Sequence, residues 1–389
     1  MEEKGKRTGK VFYILIVNPM ELRNRYLSLD VFRGMDVALM IVVNTPGDHG
    51  STFSPFLHAP WNGYTLTDLV FPTFLFIVGT SLSFSMTHYE TLGTSVVLKK
   101  ILKRTALIFL LGYLMYWFPF VEQNELGEWM MKPIAGTRIF GVLQRIALCY
   151  GLSALIIHFF KIRGALIYSA LSLFLYWILL AEFGDLTVAG NAVVRFDTML
   201  MGASHLYMGE GIPFDPEGLL STFPSVVNVI AGYCTGMYFK KHGPTYETIA
   251  RMMMIGACMI FVGLAWDLVF PINKKLWTSS FVIFTSGIDL MVLAMLMYAI
   301  DLRQWKGWTY FFEVFGRNTL FLYLLSEILA IVIDTFSIQS GSVHHWIFIH
   351  LFRPWAGGYF GSLFFALGFM LLCWVVGYWM DRKKIYVKI

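Results

Sequence analysis

Runs of about twenty apolar residues, broken by short basic or polar segments, recur from one end of the chain to the other. About 20 such residues carry a helix across the hydrocarbon layer of a bilayer, where only a helix or a closed barrel satisfies its own backbone. Windows of that length predict helices near 31–46, 66–87, 104–120, 138–160, 164–183, 222–239, 252–271, 278–300, 310–334 and 359–380. The expected fold is an all-α polytopic membrane bundle of about ten transmembrane helices. A shorter apolar piece, His345 to Trp355, is interrupted by Arg353-Pro354 and reads as interfacial or re-entrant.

Composition narrows the class. With 57% hydrophobic residues, 14% charged residues and a mean hydropathy of +0.62, the 389-residue chain holds more apolar surface than one soluble core can bury. No separate soluble domain is visible, so the chain divides into a basic cytoplasmic N-terminal tail, 1–26, and a single transmembrane domain, 27–389. Val11 to Val17 is apolar, but Glu2, Glu3 and the missing small-residue cleavage site argue against a signal peptide, and Met20 is an alternative start. Cys149, Cys234, Cys258 and Cys373 all lie inside apolar runs without CxxC spacing, which argues against disulfides and zinc.

The net charge of +5 reports topology rather than a nucleic-acid partner, because the lysines and arginines sit in short loops. Lys4, Lys6, Arg7, Lys10, Arg23 and Arg25 precede the first predicted helix, and Lys99, Lys100, Lys103 and Arg104 follow the second. Both groups belong in the cytoplasm. The basic groups at Lys161, Lys240, Arg303 and Arg382 join that side if the helices are even in number, which places both termini inside. The other face carries the long acidic and aromatic loops 46–65, 121–137 (Glu122, Glu125, Glu128) and 184–221, and one short loop, 271–277, whose Lys274 and Lys275 break the charge rule.

Two stretches carry candidate chemistry. Leu57 to Pro72 combines His58, Pro60, an Asn62-Gly63 turn and Asp68 at the start of an apolar helix that Thr65 or Thr67 can cap, so His58 sits on a structured loop at the membrane edge. An imidazole there suits a general base, with Asp68 fixing its tautomer, or a nucleophile. In the first helix Arg33 and Asn44 are eleven residues apart, about 16 Å at 1.5 Å per residue. Extended coenzyme A, anchored by its phosphates at Arg33, has that reach. Other polar residues within or at the ends of the helices, Asp36, Asp267, Asp289, Glu313, Arg317 and Glu327 among them, need partners or a water-filled cavity. His344-His345 and His350 have no matching carboxylates for a metal, and Gly79 to Ser85 reads as a small-residue packing face.

Ser28-Leu29-Asp30-Val31-Phe32-Arg33-Gly34, Val43-Asn44, His58-Ala59-Pro60-Trp61-Asn62-Gly63 and Asp68-Leu69-Val70-Phe71-Pro72, followed by Arg138 to Arg145, Asp215 to Gly218 and Asn273 to Trp277, resemble the heparan-α-glucosaminide N-acetyltransferase family in order from about residue 26 to 330. The resemblance implies a transmembrane acetyltransferase that takes acetyl from cytosolic acetyl-coenzyme A and places it on a glucosamine amine across the membrane, with no metal. It implies that His58 and Asn44 are catalytic, beside Asp68, with acetyl passing through His58 or directly. Arg33, Asp30, Arg138, Gln144 and Arg145 are then expected at the coenzyme, although Arg138 falls near the outer end. Trp61, Asn62, Asp215, Glu217, Asn273, Lys274 and Trp277 are expected at the sugar, with Trp61 or Trp277 stacking on it. The short basic tail, where the lysosomal members carry a lumenal domain, points to a bacterial-type member in the inner membrane with an amino-sugar acceptor other than heparan.

The expected partners are therefore acetyl-coenzyme A, an amino sugar, the lipid bilayer and, in a homodimer, a second copy of the chain, with no nucleic acid. Two other readings stay open: a sugar or ion transporter using Asp267, Asp289 and Glu327, for which the halves show no internal repeat, and an O-acetyltransferase of a surface polysaccharide.

Overall fold

A computed structural model describes residues 13–15, 26–124, 128–338 and 341–388. Most of the expected basic tail 1–26, Met20 and Glu125 lie outside the described residues. The chain is mostly helical: α1 (Leu27–Asn44), α2 (Leu66–Tyr89), α3 (Thr94–Trp117), α4 (Val142–Glu182), α5 (Ala192–Met201), α6 (Thr222–His242), α7 (Tyr246–Asp267), α8 (Ser279–Leu296), α9 (Thr309–Arg317), α10 (Thr319–Thr335), α11 (Val343–Ile347) and α12 (Arg353–Arg382). The strands are short: β1 (Tyr13–Leu15) pairs antiparallel with β6 (Tyr386–Lys388), β2 (Val121–Gln123) with β3 (Trp129–Met131), and β4 (Ser337–Ile338) with β5 (Gly341–Ser342).

Among the described residues five helices are long and apolar enough to cross a membrane: α2, α4, α7, α8 with its π-helical continuation to Leu302, and the run from Val343 through α12. The chain is an integral membrane protein. Each predicted window falls on helix, and one departs from its expected shape. The 138–160 and 164–183 windows are the two arms of α4, separated by a break at Lys161 where the backbone leaves helical space at φ 54°. The 310–334 window, expected as one straight helix, is broken by 83° between α9 and α10. The reason is tertiary: Asn318 at the break donates to Ile385 O at 2.9 Å and accepts from Val387 N at 3.0 Å, tying the corner to the C-terminal strand. The piece from His345 to Trp355 runs through α11 and a π-turn, Phe348–Phe352, into α12, and the backbone breaks at Gly357, φ 74°.

Small residues let the central helices meet. A Cβ on Gly79 would stand 1.9 Å from Val229 O, and one on Gly232 1.9 Å from Phe76 O, so α2 and α6 touch backbone to backbone. The same device at Gly34 and Gly316 seats α1 on α9. The resulting core runs through α1, α2, α4, α6 and α8, and the elements that carry His58, Asn44 and Arg33 all rest against it.

Candidate active site

The loop ahead of α2 is pinned before it offers a catalytic group. Gly63 takes φ +92°, a conformation cheap only for glycine. Its N–H donates to Ile272 O at 2.7 Å, Asn273 Nδ2 donates to Asn62 Oδ1 at 3.2 Å, and Lys275 Nζ donates to Pro60 O at 2.9 Å. Asp68 in the first turn of α2 completes the anchor. Its Oδ2 accepts from Ala59 N at 2.9 Å and from Thr65 N at 3.0 Å, while Oδ1 stands 2.7 Å from His58 Nδ1. The carboxylate is 1% exposed and the imidazole 49% exposed. A fixed, buried carboxylate facing Nδ1 favours the tautomer with its proton there, leaving Nε2 as the basic nitrogen of an accessible ring.

A polar chain leads from this pair to Asn44. Lys274 acts electrostatically on Asp68 and lies 3.6 Å from Glu217. Glu217 accepts from Arg138 Nη2 at 2.7 Å, and Arg138 also donates to both oxygens of Asp215, at 2.8 and 2.6 Å, and to Tyr116 Oη at 3.2 Å. Burial disfavours the Arg138 charge, yet Asp215 and Glu217 hold it above the ordinary arginine range. Burial likewise works against Glu217, but Lys274, Arg138 and Arg145 outweigh it and hold the carboxyl at about 2. Tyr116 lies within electrostatic reach of Glu327, whose Oε1 accepts from Asn44 Nδ2 at 3.2 Å. The lysines that break the charge rule thus sit opposite acids: Lys274 faces Glu217, and Lys275 pairs with Glu210 at 2.8 Å.

Toward the other end of the bundle, α1, α2, α3, α4 and the α9–α10 corner enclose a cavity of about 510 Å³. Its polar lining includes Asp30, Arg33, Ser81, Arg104, Tyr150 and Arg317. Arg33 donates to Asp30 Oδ1 at 3.2 Å, Gly316 O at 3.3 Å and Ser81 Oγ at 2.6 Å. Arg317 is tied to Asp381 at 2.8 Å and Glu313 at 2.7 Å, and Arg104 stands 4.7 Å over the Tyr150 ring. Along α2 the lining extends from Phe74 to Ser85, eleven residues and about 16 Å. Phe74 lies six residues, or about 9 Å, beyond Asp68.

The sequence-predicted residues divide accordingly. Asp30 and Arg33 line the cavity, and Arg104, Arg317 and Ser81 join them without having been singled out in the sequence as site residues. Arg104 reads in sequence as one more topological lysine or arginine, and Arg317 as one of many polar residues in a helix. Arg138 and Arg145, also expected at coenzyme phosphates, are committed elsewhere. Arg138 is saturated by Asp215 and Glu217. Arg145 is fully enclosed, 4.9 Å from the Trp277 ring, donating to Gly218 O at 3.1 Å and to Ser221 Oγ. Gln144 is buried beside Gly112, and neither amide atom has a partner among the described residues.

The expected sugar residues change too. Trp277 is 0% exposed and donates to Asn228 Oδ1 at 3.0 Å, so it has no face for a pyranose. Asn273 spends its amide on Asn62 and Leu276 N. Asp215 is neutralised by Arg138. Trp61 is half-buried, donating to Leu186 O at 2.7 Å and packing 5.8 Å from Phe214. Asn62 remains exposed, and Glu217 and Lys274 remain at the junction with the His58 pair.

The loop that carries Asp215 and Glu217 is pH-sensitive. Asp197 on α5 accepts from Leu220 N at 3.2 Å, and burial pushes its carboxyl up to about 7 from 3.8. The folded protein keeps this proton where the unfolded chain has lost it, so the stability it contributes is full below 3.8 and falls as pH rises to about 7. Thermal unfolding of Asp197→Asn in detergent should lose that slope and match the wild type at the acid end.

A half-exposed imidazole steered by a buried carboxylate, with an arginine-lined cavity deeper in the same helical bundle, defines a membrane protein with a built site for chemistry rather than a plain anchor. The profile of the heparan-alpha-glucosaminide N-acetyltransferase catalytic region matches residues 25–270. Over 371 residues the chain is 29% identical to the mouse heparan-alpha-glucosaminide N-acetyltransferase, covering 79% of this chain and 54% of the relative. It is 28% identical to the human protein of the same name over 366 residues, covering 78% and 53%. The chain spans about half the length of the curated relatives it matches. The chain belongs to the heparan-α-glucosaminide N-acetyltransferase family.

Proposed function

We propose that the protein transfers acetyl from cytosolic acetyl-coenzyme A to the amine of a glucosamine-type sugar on the outer side of a bacterial inner membrane. The observation that carries the reading is the 2.7 Å contact between His58 Nδ1 and the buried Asp68 carboxylate. In this reading the chain crosses the membrane ten times with both termini in the cytoplasm, so the cavity at Arg33, Arg104 and Arg317 opens inward and His58 outward. The three guanidinium groups suit the coenzyme phosphates, and the apolar wall from Phe74 suits the pantetheine arm.

At the outer end His58 Nε2 takes the proton of the attacking amine, and Asp68 stabilises the imidazolium that results. The amine nitrogen bonds to the acetyl carbon as the carbon–sulfur bond breaks, and coenzyme A leaves as thiolate or, reprotonated from His58, as thiol. Asn44, released from Glu327, hydrogen-bonds the thioester oxygen as it gains negative charge. Glu217 and Lys274, next to the dyad, meet the sugar, with Asn62 and Trp61 on the rim. Asn44→Ala should lower kcat by about 10²–10³-fold, the range for one oxyanion donor, with little change in KM for acetyl-coenzyme A.

The experiment that tests the reading supplies purified protein in detergent with acetyl-coenzyme A and either glucosamine or N-acetylglucosamine. Thiol release with glucosamine alone supports amine transfer. Release with N-acetylglucosamine moves the acceptor to a hydroxyl, and release with neither, across several sugars, overturns the reading.

A further inference from the structure

Two carboxyl groups face the interior of the bundle with no cation paired to them among the described residues. Asp36 on α1 is 5% exposed and Asp289 on α8 is 2% exposed, and the two interact electrostatically. Thr73 of α2 donates to Asp289 Oδ1 at 2.5 Å, which spends its one hydroxyl proton. One oxygen of each acid, Asp36 Oδ2 and Asp289 Oδ2, is buried with no partner among the described residues.

The surrounding elements supply no counter-charge. On α1, Arg33 is turned to Asp30 and Ser81. On α2 the titratable groups are Asp68, His88 and Tyr89 near the two ends, and on α6 they are Tyr238, Lys240, Lys241 and His242 near the last turn, with Tyr233 and Cys234 above them. α7 carries Glu247, Arg251 and Asp267 near its ends, and Arg145 of α4 is held by Gly218 and Ser221. From α9, α10 and α12, Glu313, Arg317 and Asp381 bind one another and Glu327 binds Asn44. Asp301, on the π-turn after α8, accepts from Ser28. None of these acts electrostatically on Asp36 or Asp289; Asp36 feels Asp289 alone.

We propose that Asp36 and Asp289 form a proton-binding site between α1 and α8, separate from the acetyl-transfer machinery. Two neighbouring carboxylates in a dry interior cannot both stay ionised. One proton removes the charge of one carboxyl and relieves the like-charge contact between the two acids. The site takes a proton rather than a metal ion. Thr73 has spent its hydroxyl proton on Asp289, and no third acidic, histidine or cysteine group completes a metal set among the described residues. Because α1 also carries Arg33 and Asn44, losing the proton would set like charges between α1 and α8 and loosen the helix that joins the two ends of the site.

The test is infrared spectroscopy of the full-length protein in detergent at neutral pH, wild type against Asp36→Asn, Asp289→Asn and the double variant. Asparagine keeps the shape and removes the proton site. The wild type should show more protonated-acid carbonyl intensity, shifting on exchange into D₂O, than the double variant, which keeps only the contribution of other acids such as Asp197. Equal acid bands in wild type and all variants would overturn the proposal. If the double variant fails to fold, the single variants are compared with the wild type in the same way, and thermal stability that rises in sodium over potassium with no loss of acid band in them would assign the site to a metal cation and refute it.

Discussion

His58→Ala is expected to lower kcat for acetyl transfer to glucosamine by about 10²–10⁴-fold, the span a positioned general base contributes, while binding of coenzyme A and the melting temperature stay near wild type. The separation follows from geometry. His58 is half-exposed, and Ala59 N and Thr65 N hold Asp68 whether or not the imidazole is present, so the cap of α2 survives the substitution. The arginine-lined cavity proposed for the coenzyme starts about 9 Å further along α2 and is lined by none of those groups. Stopped activity with retained coenzyme binding, read by isothermal calorimetry beside the thiol assay, checks the expectation; transfer that continues at the wild-type rate would remove His58 from the chemistry.

The second large effect is on stability. Arg138→Met should destabilise the fold by about 3–5 kcal/mol, the cost of breaking a buried ion pair from one side. Asp215 is 1% exposed and Glu217 6% exposed, and Arg138 supplies three of the hydrogen bonds that hold them. Removing it leaves two buried carboxylates with only Lys274, at 3.6 Å from Glu217, and the more distant Arg145 to balance them among the described residues. A partial rescue is built in: Arg138→Met combined with Asp215→Asn and Glu217→Gln removes the stranded charge and should recover much of the loss. Thermal unfolding in detergent reads both variants. A single variant as stable as wild type would show that the cluster binds substrate rather than the fold.

Parts of this architecture are legible along the chain and parts are not, for physical reasons. Membrane helices announce themselves because the bilayer demands continuous apolar length, and Thr65 with Asp68 announces the start of α2 because a helix leaves its first N–H groups unpaired. The His58–Asp68 contact is legible for the same reason, being local. The 83° break at Asn318 is not, since the apolar run continues through it and the cause is Ile385 and Val387, more than sixty residues away. Arg145 looks like a phosphate ligand until Trp277, 132 positions later in sequence, closes over it. Lys274 and Lys275 look like a topological violation until Glu217 and Glu210 arrive from another loop. Charge placed by tertiary contact carries no local signature.

Acetyl transfer from one side of the membrane to the other is tested by a sided assay. Protein reconstituted into sealed vesicles receives acetyl-coenzyme A on the side that bears the C-terminal Arg382-Lys383-Lys384 segment, with glucosamine confined to the other side. N-acetylglucosamine is expected in the glucosamine compartment with the wild type and not with His58→Ala. Product that forms only when donor and acceptor share a compartment would contradict transfer across the membrane.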